Sequence, residues 1–340
     1  MSKTFRTLLL AACWIYLALL FAWLVTYLAT GERFAIIAIV NLLAVYLFLP
    51  LPLVILVSVF LRRARLFTTS GLAAAAFLWL WGALFWPKAT PAHASYKLLS
   101  VMTYNVLGWH ENVHPQIEVI RAENPDVLFI QELNPTLATA IGHELRSEYP
   151  YQVLDPQEGV SGMGVISKFP IHLKGERLPL NWVGTPQVLE MDWNGQTVTL
   201  VNFHTIPTTS STIRQIQQES RYRAAQAQAL VDLAHRSGPL IAAGDANATP
   251  LTDAYRIITT ELDDAWTEAG FGLGHTFPGS DITGSSRPRL GTWSVPKWLV
   301  RIDYVFYSEQ FKAVTTRMAR FDGVSDHRGV VASLEWIGGK

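Results

Sequence analysis

The chain has 340 residues, half of them apolar and only 16% charged, against about 25% charged in an ordinary soluble protein; this excludes disorder and points toward a membrane. Its 27 basic and 27 acidic residues cancel, so the overall charge gives no reason to expect a nucleic-acid or acidic partner. The balance averages two unlike parts: seven Lys/Arg and a single acid, Glu32, precede Lys97, which leaves 20 basic and 26 acidic residues from there on.

Residues 8–29 carry no charge and are long enough to cross a hydrocarbon core of about 30 Å as a helix. The run is too long for the apolar h-region of a signal peptide and no small-residue cleavage site follows it closely, so it is expected to be retained. Residues 34–61 form a second span, which Pro50 and Pro52 should kink; its length fits one tilted helix or a re-entrant pair. Residues 69–86 form a third, with Trp79, Trp81 and Trp86 suited to an interfacial end. None of the spans holds an ionisable residue, which argues against a transporter or channel; Asn41 is their main polar residue. The lone cysteine, Cys13, lies in the first span, so no intrachain disulfide or cysteine-based metal site is available.

Lys3 and Arg6 precede the first span and Arg62, Arg63 and Arg65 lie between the second and third. By the positive-inside rule they share the cytoplasmic side, and everything after Trp86 is extracytoplasmic, either periplasmic or extracellular. Residues 1–87 therefore read as a transmembrane anchor and 88–96 as a linker.

Residues 97–337 have the composition of one globular domain. Strand-like runs occur at 98–104, 127–131, 164–167, 188–192, 197–203, 240–243, 302–307 and 330–335, and helical patterns at 115–122, 137–147 and 213–235. The elements mix without strict alternation, which favours α/β layers, sheets flanked by helices, over a doubly wound sheet. Polar residues cluster at the strand ends: Asn105 after the first, Glu132 in Gln131-Glu132, His204 in Asn202-Phe203-His204, Asp245 and Asn247 in Gly244-Asp245-Ala246-Asn247, Asp303 in Ile302-Asp303-Tyr304, and Ser325-Asp326-His327-Arg328 before the last.

Six such segments in this order resemble the endonuclease/exonuclease/phosphatase superfamily, which includes DNase I, abasic-site endonucleases, neutral sphingomyelinases and inositol polyphosphate phosphatases. The resemblance spans residues 97–337. It implies a DNase I-like four-layered α/β sandwich, two packed mixed sheets flanked by helices, and phosphoester hydrolysis with Mg²⁺ or Mn²⁺.

In-line attack of water on a phosphoester is mostly positioning and charge stabilisation, a task for a hard divalent cation with oxygen ligands. Glu132 is the first ligand to expect, although alone it would read as a solvated strand-end acid; the resemblance adds Asn105 and Asp326. Asp245 and Asn247, two apart on extended chain, would project to one side of the sheet edge, or else form an Asx turn. The resemblance implies that Asp245 orients or deprotonates the nucleophile and that Asn247 assists. Asp303 would fix the ring and raise the pKa of His327, as in the family's Asp–His pair, and His204 matches a second family histidine; its segment resembles the DNase I and sphingomyelinase branches more than the abasic-site endonucleases. Arg301 and Arg328 fit either phosphate contacts or surface ion pairs, and His275, in Gly274-His275-Thr276-Phe277, falls in a substrate-facing loop of the family. Residues 161–165 form a glycine-rich turn into a strand, and no Gly-Lys-Ser/Thr follows to make a phosphate loop.

These readings converge on a membrane-anchored phosphoesterase that cleaves a diester, monoester or pyrophosphate with activated water. Its expected partners are the bilayer and a phosphorylated substrate, lipid-linked or a phospholipid, because tethering raises the local concentration of such a substrate. Membrane-tethered bacterial members of the superfamily share this layout. A DNase-like nuclease is the alternative, disfavoured by a domain with six more acidic than basic residues. A non-catalytic binding module is the third reading, opposed by the presence of Glu132, Asp245 and His327. Loops 181–186 and 205–212 are where headgroup choice is expected.

Overall fold

The computed structural model describes residues 2–88, 98–209, 212–280, 287, 289–290 and 292–338. Apart from Lys88, the expected linker 88–96 lies outside the described residues, as do positions 210–211 of the 205–212 loop.

The apolar third folds into helix α1 (Lys3–Thr30), α2 (Ala35–Asn41), a 3₁₀ turn (Ala44–Phe48), α3 (Leu51–Phe60) and α4 (Ala64–Trp81), prolonged by a second 3₁₀ turn to Phe85. Helix α1 and the Ala64–Phe85 helix are long and apolar enough to cross a membrane, whereas the run between them bends by 80° between Ala35–Asn41 and Ala44–Phe60. The expected second span is therefore a broken one, and the prolines are not what breaks it. Pro50 caps α3 and Pro52 sits in its first turn, where a missing N–H has no helical bond to lose.

Asn41 fixes the break. Its side chain accepts from Trp23 Nε1 (3.1 Å) and donates to the Leu251 carbonyl (3.2 Å), and its own carbonyl accepts from Thr249 Oγ1 (3.0 Å). Burying these groups in an apolar layer is tolerable only because each is paired. Further bonds tie other helix ends to the second domain: Tyr46 donates to the Leu299 carbonyl (2.7 Å) and Gly272 N–H to that of Leu84 (2.7 Å). The α1–α2 turn does the same through Glu32, which accepts from Ser220 Oγ (2.7 Å) and Asp253 N–H (3.0 Å). Lys3 and Arg6 at the start of α1, and Arg62, Arg63 and Arg65 at the start of α4, thus occupy the helix ends remote from that domain.

The second domain runs β1 (Leu98–Asn105), α5 (His114–Glu123), β2 (Val127–Gln131), α6 (Pro135–Glu144), β3 (Tyr151–Asp155), β4 (Met163–Ser167), β5 (Ile171–Leu173), β6 (Gln187–Trp193), β7 (Gln196–His204), α7 (Ile213–Arg236) and β8 (Leu240–Asp245). It continues with α8 (Asp253–Ile258), β9 (Asp263–Asp264), α9 (Ala265–Ala269), the short hairpin β10 (Arg289–Leu290) and β11 (Trp293–Ser294), β12 (Asp303–Tyr307), β13 (Phe311–Met318) and β14 (Val330–Trp336).

Two six-stranded sheets result, ordered β13-β14-β1-β2-β4-β3 and β5-β6-β7-β8-β12-β9. Each is mixed: β1/β2 and β7/β8 are parallel and the other pairs antiparallel. Leu99, Val101 and Phe129 of the first sheet pack with Leu189, Leu200 and Val305 of the second. Alternate residues of the strands face outward, where Met102, Leu128 and Ile130 meet Ile117, Ile120 and Ile141 of α5 and α6, and Val201, Phe203 and Ala242 meet Leu230, Leu233 and Ile258 of α7 and α8. This is the expected four-layered α/β sandwich. The central apolar cluster also extends through Leu251, Ala265 and Trp266 into the N-terminal helices.

Candidate active site

The pairings of β1 with β2, β7 with β8 and β8 with β12 place polar strand ends side by side. Asn105 pairs with Gln131, and Asp245 lies between His204 on one neighbouring strand and Asp303 on the other. Between the sheets the core turns polar toward this edge: Gln131 accepts from Thr103 Oγ1 and donates to Asn202 Oδ1 (2.8 Å), and Asn202 in turn donates to Gln187 and to the carbonyls of Ile130 and Gly164. This bridge, which the sequence reading did not assign, joins the two halves of the site; its signal was a pair of amides on strands otherwise apolar.

Glu132 follows β2 in a left-handed backbone conformation, φ 61°, a strain of about 1–3 kcal/mol for a non-glycine residue. Its Oε1 accepts from Asn105 Nδ2 (2.9 Å) and its Oε2 from Gly108 N–H (3.2 Å). Gly108 must be glycine, because a Cβ there would lie 1.9 Å from the Gly159 carbonyl and 2.7 Å from that of Glu132. The glycine-rich 161–165 turn buttresses the same corner through Leu133 N–H to the Gly162 carbonyl (3.0 Å). Asn105 Nδ2 also donates to Asp245 Oδ2 (3.2 Å), so one amide links a carboxylate of each sheet.

Asn247 departs from the extended geometry. Its φ is 44°, its N–H donates to Asp245 Oδ1 (2.8 Å) and its side-chain amide to the Thr205 carbonyl (3.0 Å). The Asx turn is therefore the arrangement adopted, and Asn247 holds Asp245 and the loop after β7 rather than standing beside Asp245 on one face.

Asp245 Oδ2 lies 3.4 Å from His204 Nε2 and 3.8 Å from His327 Nε2. His327 donates from Nδ1 to Asp303 Oδ2 (2.9 Å), and its Nε2 is 3.9 Å from Asp326 Oδ1. The ring is braced by Phe277, 4.9 Å between centroids. Ser325, another residue the sequence reading left without a role, accepts from His327 N–H (3.0 Å) and donates to the Asn105 carbonyl (2.7 Å).

Burial sets the protonation states. Glu132 is pushed up to about 7 by burial and then by the charge of Asp326, and Asp245 to about 8 by burial and then by Asp303. Burial opposes the charged form of His327, but Asp303 and Asp245 together override it and hold the imidazole well above its ordinary value. His204 is lowered to about 3 by burial and by the neighbouring His327, and its buried Nδ1 has no hydrogen-bond partner among the described residues. One cationic and one neutral histidine flanking an aspartate is the kind of split that separates acid and base roles.

The donor set suits a hard cation. Glu132 and Asp326 offer carboxylate oxygens, and the negative charge of Asp326 beside buried Glu132 is what a divalent ion would offset. Asn105, expected as a further ligand, turns its Nδ2 toward Glu132 and Asp245 while its Oδ1 accepts from Leu107 N–H (3.2 Å), so in this arrangement it orients the carboxylates. Ligand atoms of Asp245, Asp303 and His327 also lie within 4.8 Å of one another, but the Asp303–His327 bond already engages two of these groups.

Arg301 is not a phosphate contact in this arrangement. It is 2% exposed, its Nη1 donates to Asp264 Oδ2 (2.6 Å), and its guanidinium lies over Tyr304 (4.6 Å). It forms an ion pair, and a buried one. Breaking such a pair from one side leaves an uncompensated charge, so Arg301→Ala is expected to lower stability by about 3–5 kcal/mol, measured by thermal or denaturant unfolding in detergent. Arg328 stacks on Trp298 (4.1 Å) and donates to the His275 carbonyl (2.8 Å), while His275 Nδ1 pairs with the Trp298 carbonyl (2.8 Å). These two half-buried residues lie together, and among the described residues no hydrogen bond or ion pair joins them to the carboxylate cluster. Loop 181–186 does adjoin the site, through Val183 N–H to the His204 carbonyl (3.0 Å).

The sequence matches the Endonuclease/Exonuclease/phosphatase family over residues 102–327. The chain belongs to this family. Its members are hydrolases of phosphoester bonds and generally use divalent metals, and the chain is a hydrolase of this superfamily. Among solved structures, truncated TDP2 of Caenorhabditis elegans is 20% identical with a TM-score of 0.54, covering 70% of this chain and 98% of its own. A family protein from Leptotrichia buccalis is 19% identical (TM-score 0.52; 70% and 100% covered), and D. rerio TDP2 complexed with single strand DNA product is 16% identical (TM-score 0.52; 70% and 99%). At these identities the likeness is one of fold. No curated protein matches the sequence.

Proposed function

We propose that the protein is a membrane-anchored, Mg²⁺- or Mn²⁺-dependent phosphoesterase that acts on a lipid-linked phosphate or phospholipid at the extracytoplasmic face of the bilayer. The observation that carries this reading is where the catalytic edge rests. The loop that leaves Asp245 is bonded at Thr249 and Leu251 to Asn41, and the Leu299 carbonyl, four residues before Asp303, is bonded to Tyr46. An edge seated on membrane helices meets substrates embedded in the bilayer more readily than a duplex in solution.

Glu132 and Asp326 would hold the cation, which when bound supplies positive charge to the phosphoryl oxygens, and Asn105 keeps Glu132 and Asp245 aligned through its Nδ2. Asp245 is placed to accept the proton of an attacking water once ionised, and its raised pKa makes the ionised form a stronger base than an exposed aspartate. The His327 imidazolium donates a hydrogen bond to a phosphoryl oxygen in an orientation fixed by Asp303, and neutral His204 lies on the other side of Asp245 to position the water or the leaving oxygen. Asn247 keeps Asp245 in place.

The full chain in detergent, given Mg²⁺ or Mn²⁺, is expected to release phosphate or headgroup from a polyprenyl or glycerophospholipid phosphate in mixed micelles, to lose that activity with EDTA and to regain it when the metal is returned. Plasmid DNA should stay intact. Cleavage of DNA with no turnover of any lipid phosphate would establish the nuclease reading instead, and activity towards none of them would leave a binding module. Alkaline phosphatase fused after Trp86 should be active; an inactive fusion beside an active cytoplasmic reporter would overturn the proposed side of the membrane.

A further inference from the structure

Between the Ala44–Phe48 turn, α3 and α4 lies an apolar groove of about 690 Å³, walled by Phe48, Leu51, Ile55, Phe77 and Leu78. Its size is within the about 300–1,000 Å³ common for ligand sites. The catalytic domain contributes Leu273 to its lining, and with Val45 this residue also borders a cavity of about 40 Å³ whose other walls include His275 and Arg301. Tyr46, at the same end of the groove, sits 6.1 Å from the His275 ring. His275 is two residues from Phe277, the ring that braces His327. A groove that is apolar along the membrane segments thus ends beside the polar loops of the catalytic edge.

We infer that this groove binds one hydrocarbon chain of an amphipathic phosphate whose polar end is presented to the catalytic edge. The inference rests on the proposed function and specifies its substrate as a long-chain lipid phosphate. A hydrocarbon chain is the occupant the chemistry favours. An extended peptide would bring backbone groups into an apolar layer without partners, and a further transmembrane helix, about 10 Å across, is too bulky for a groove of this volume. The polarity gradient sets the direction, with the chain end toward Ile55 and Ala74 and the phosphate end toward Tyr46 and Leu273.

The test uses full-length protein in phosphatidylcholine nanodiscs and a hexadecyl phosphate that carries a mid-chain diazirine. Photolabelling should map to residues 45–56, 74–78 and 273, and excess hexadecyl phosphate, but not butyl phosphate, should suppress it. Ala74→Phe, which projects a ring into the groove, should reduce labelling at least tenfold. Leu78→Trp, at a 63% exposed lip position that needs no core rearrangement, should reduce it also, whereas Leu72→Trp, on α4 outside the groove, should not. Labelling spread evenly over the lipid-facing helices, or unchanged in both groove variants, overturns the inference even if lipid phosphates are hydrolysed. Specific labelling without hydrolysis of any lipid phosphate retains the groove and refutes the proposed function.

Discussion

Glu132→Gln is expected to lower kcat by about 10²–10⁴-fold, the value of several kcal/mol of charge stabilisation supplied by a correctly held divalent ion. The substitution keeps shape and burial and removes only the negative charge. Its effect on folding should be slight, because the carboxylate is an expensive group to bury: it is pushed up to about 7 by desolvation and by Asp326. The new amide can still accept from either Asn105 Nδ2 or Gly108 N–H, though not from both, a loss of about 1 kcal/mol offset by relief of the repulsion. The variant should therefore melt near the wild-type temperature in EDTA, whereas adding Mg²⁺ or Mn²⁺ is expected to raise the melting temperature of wild type and not that of the variant. Retention of kcat within fivefold would remove Glu132 from the cation site.

The sequence exposed the central strands because their residues are apolar on both faces, and the sheets pack against helices on one side and each other on the other. Strands at or near the edges stayed hidden. Tyr151–Asp155 and Ile171–Leu173 are short and largely solvent-facing, and in Phe311–Met318 a bulge at Ala313/Thr315 interrupts the alternation that would have marked it. Catalytic candidates were legible for a topological reason: strand ends at one sheet edge are where a layered fold gathers polar groups, so Asn105, His204, Asp245 and Asp303 could be picked out before their contacts were known. Partnerships set by tertiary structure were not. Arg301 finds Asp264 across 37 residues, and Asn41 finds Leu251 across 210. The latter contacts turn an isolated amide in a hydrophobic run into the joint between anchor and catalytic domain, and with the 80° bend they explain why hydropathy alone described residues 34–61 as one span.

The Asp303–His327 pair yields the second large effect. His327→Ala removes the imidazolium and should lower kcat by about 10²–10⁴-fold, with KM little changed if its hydrogen bond strengthens mainly in the transition state. Asp303→Asn leaves an oxygen that can accept from His327 Nδ1 but removes the charge that, with Asp245, keeps the ring cationic; its kcat should fall by about tenfold or more without a matching rise in KM. Because Asp303 acts through His327, the double variant should be no slower than His327→Ala alone, a non-additivity expected only of groups that work as one unit. Glu132→Gln with His327→Ala serves as the contrast, since cation and imidazolium stabilise the phosphoryl group from different residues and their losses should compound until background hydrolysis is reached. Additive losses in the Asp303–His327 cycle would mean that Asp303, whose Oδ1 is buried with no hydrogen-bond partner among the described residues, acts on the reaction directly, and the Asp245–Asp303–His327 grouping would then be the better candidate for the cation site.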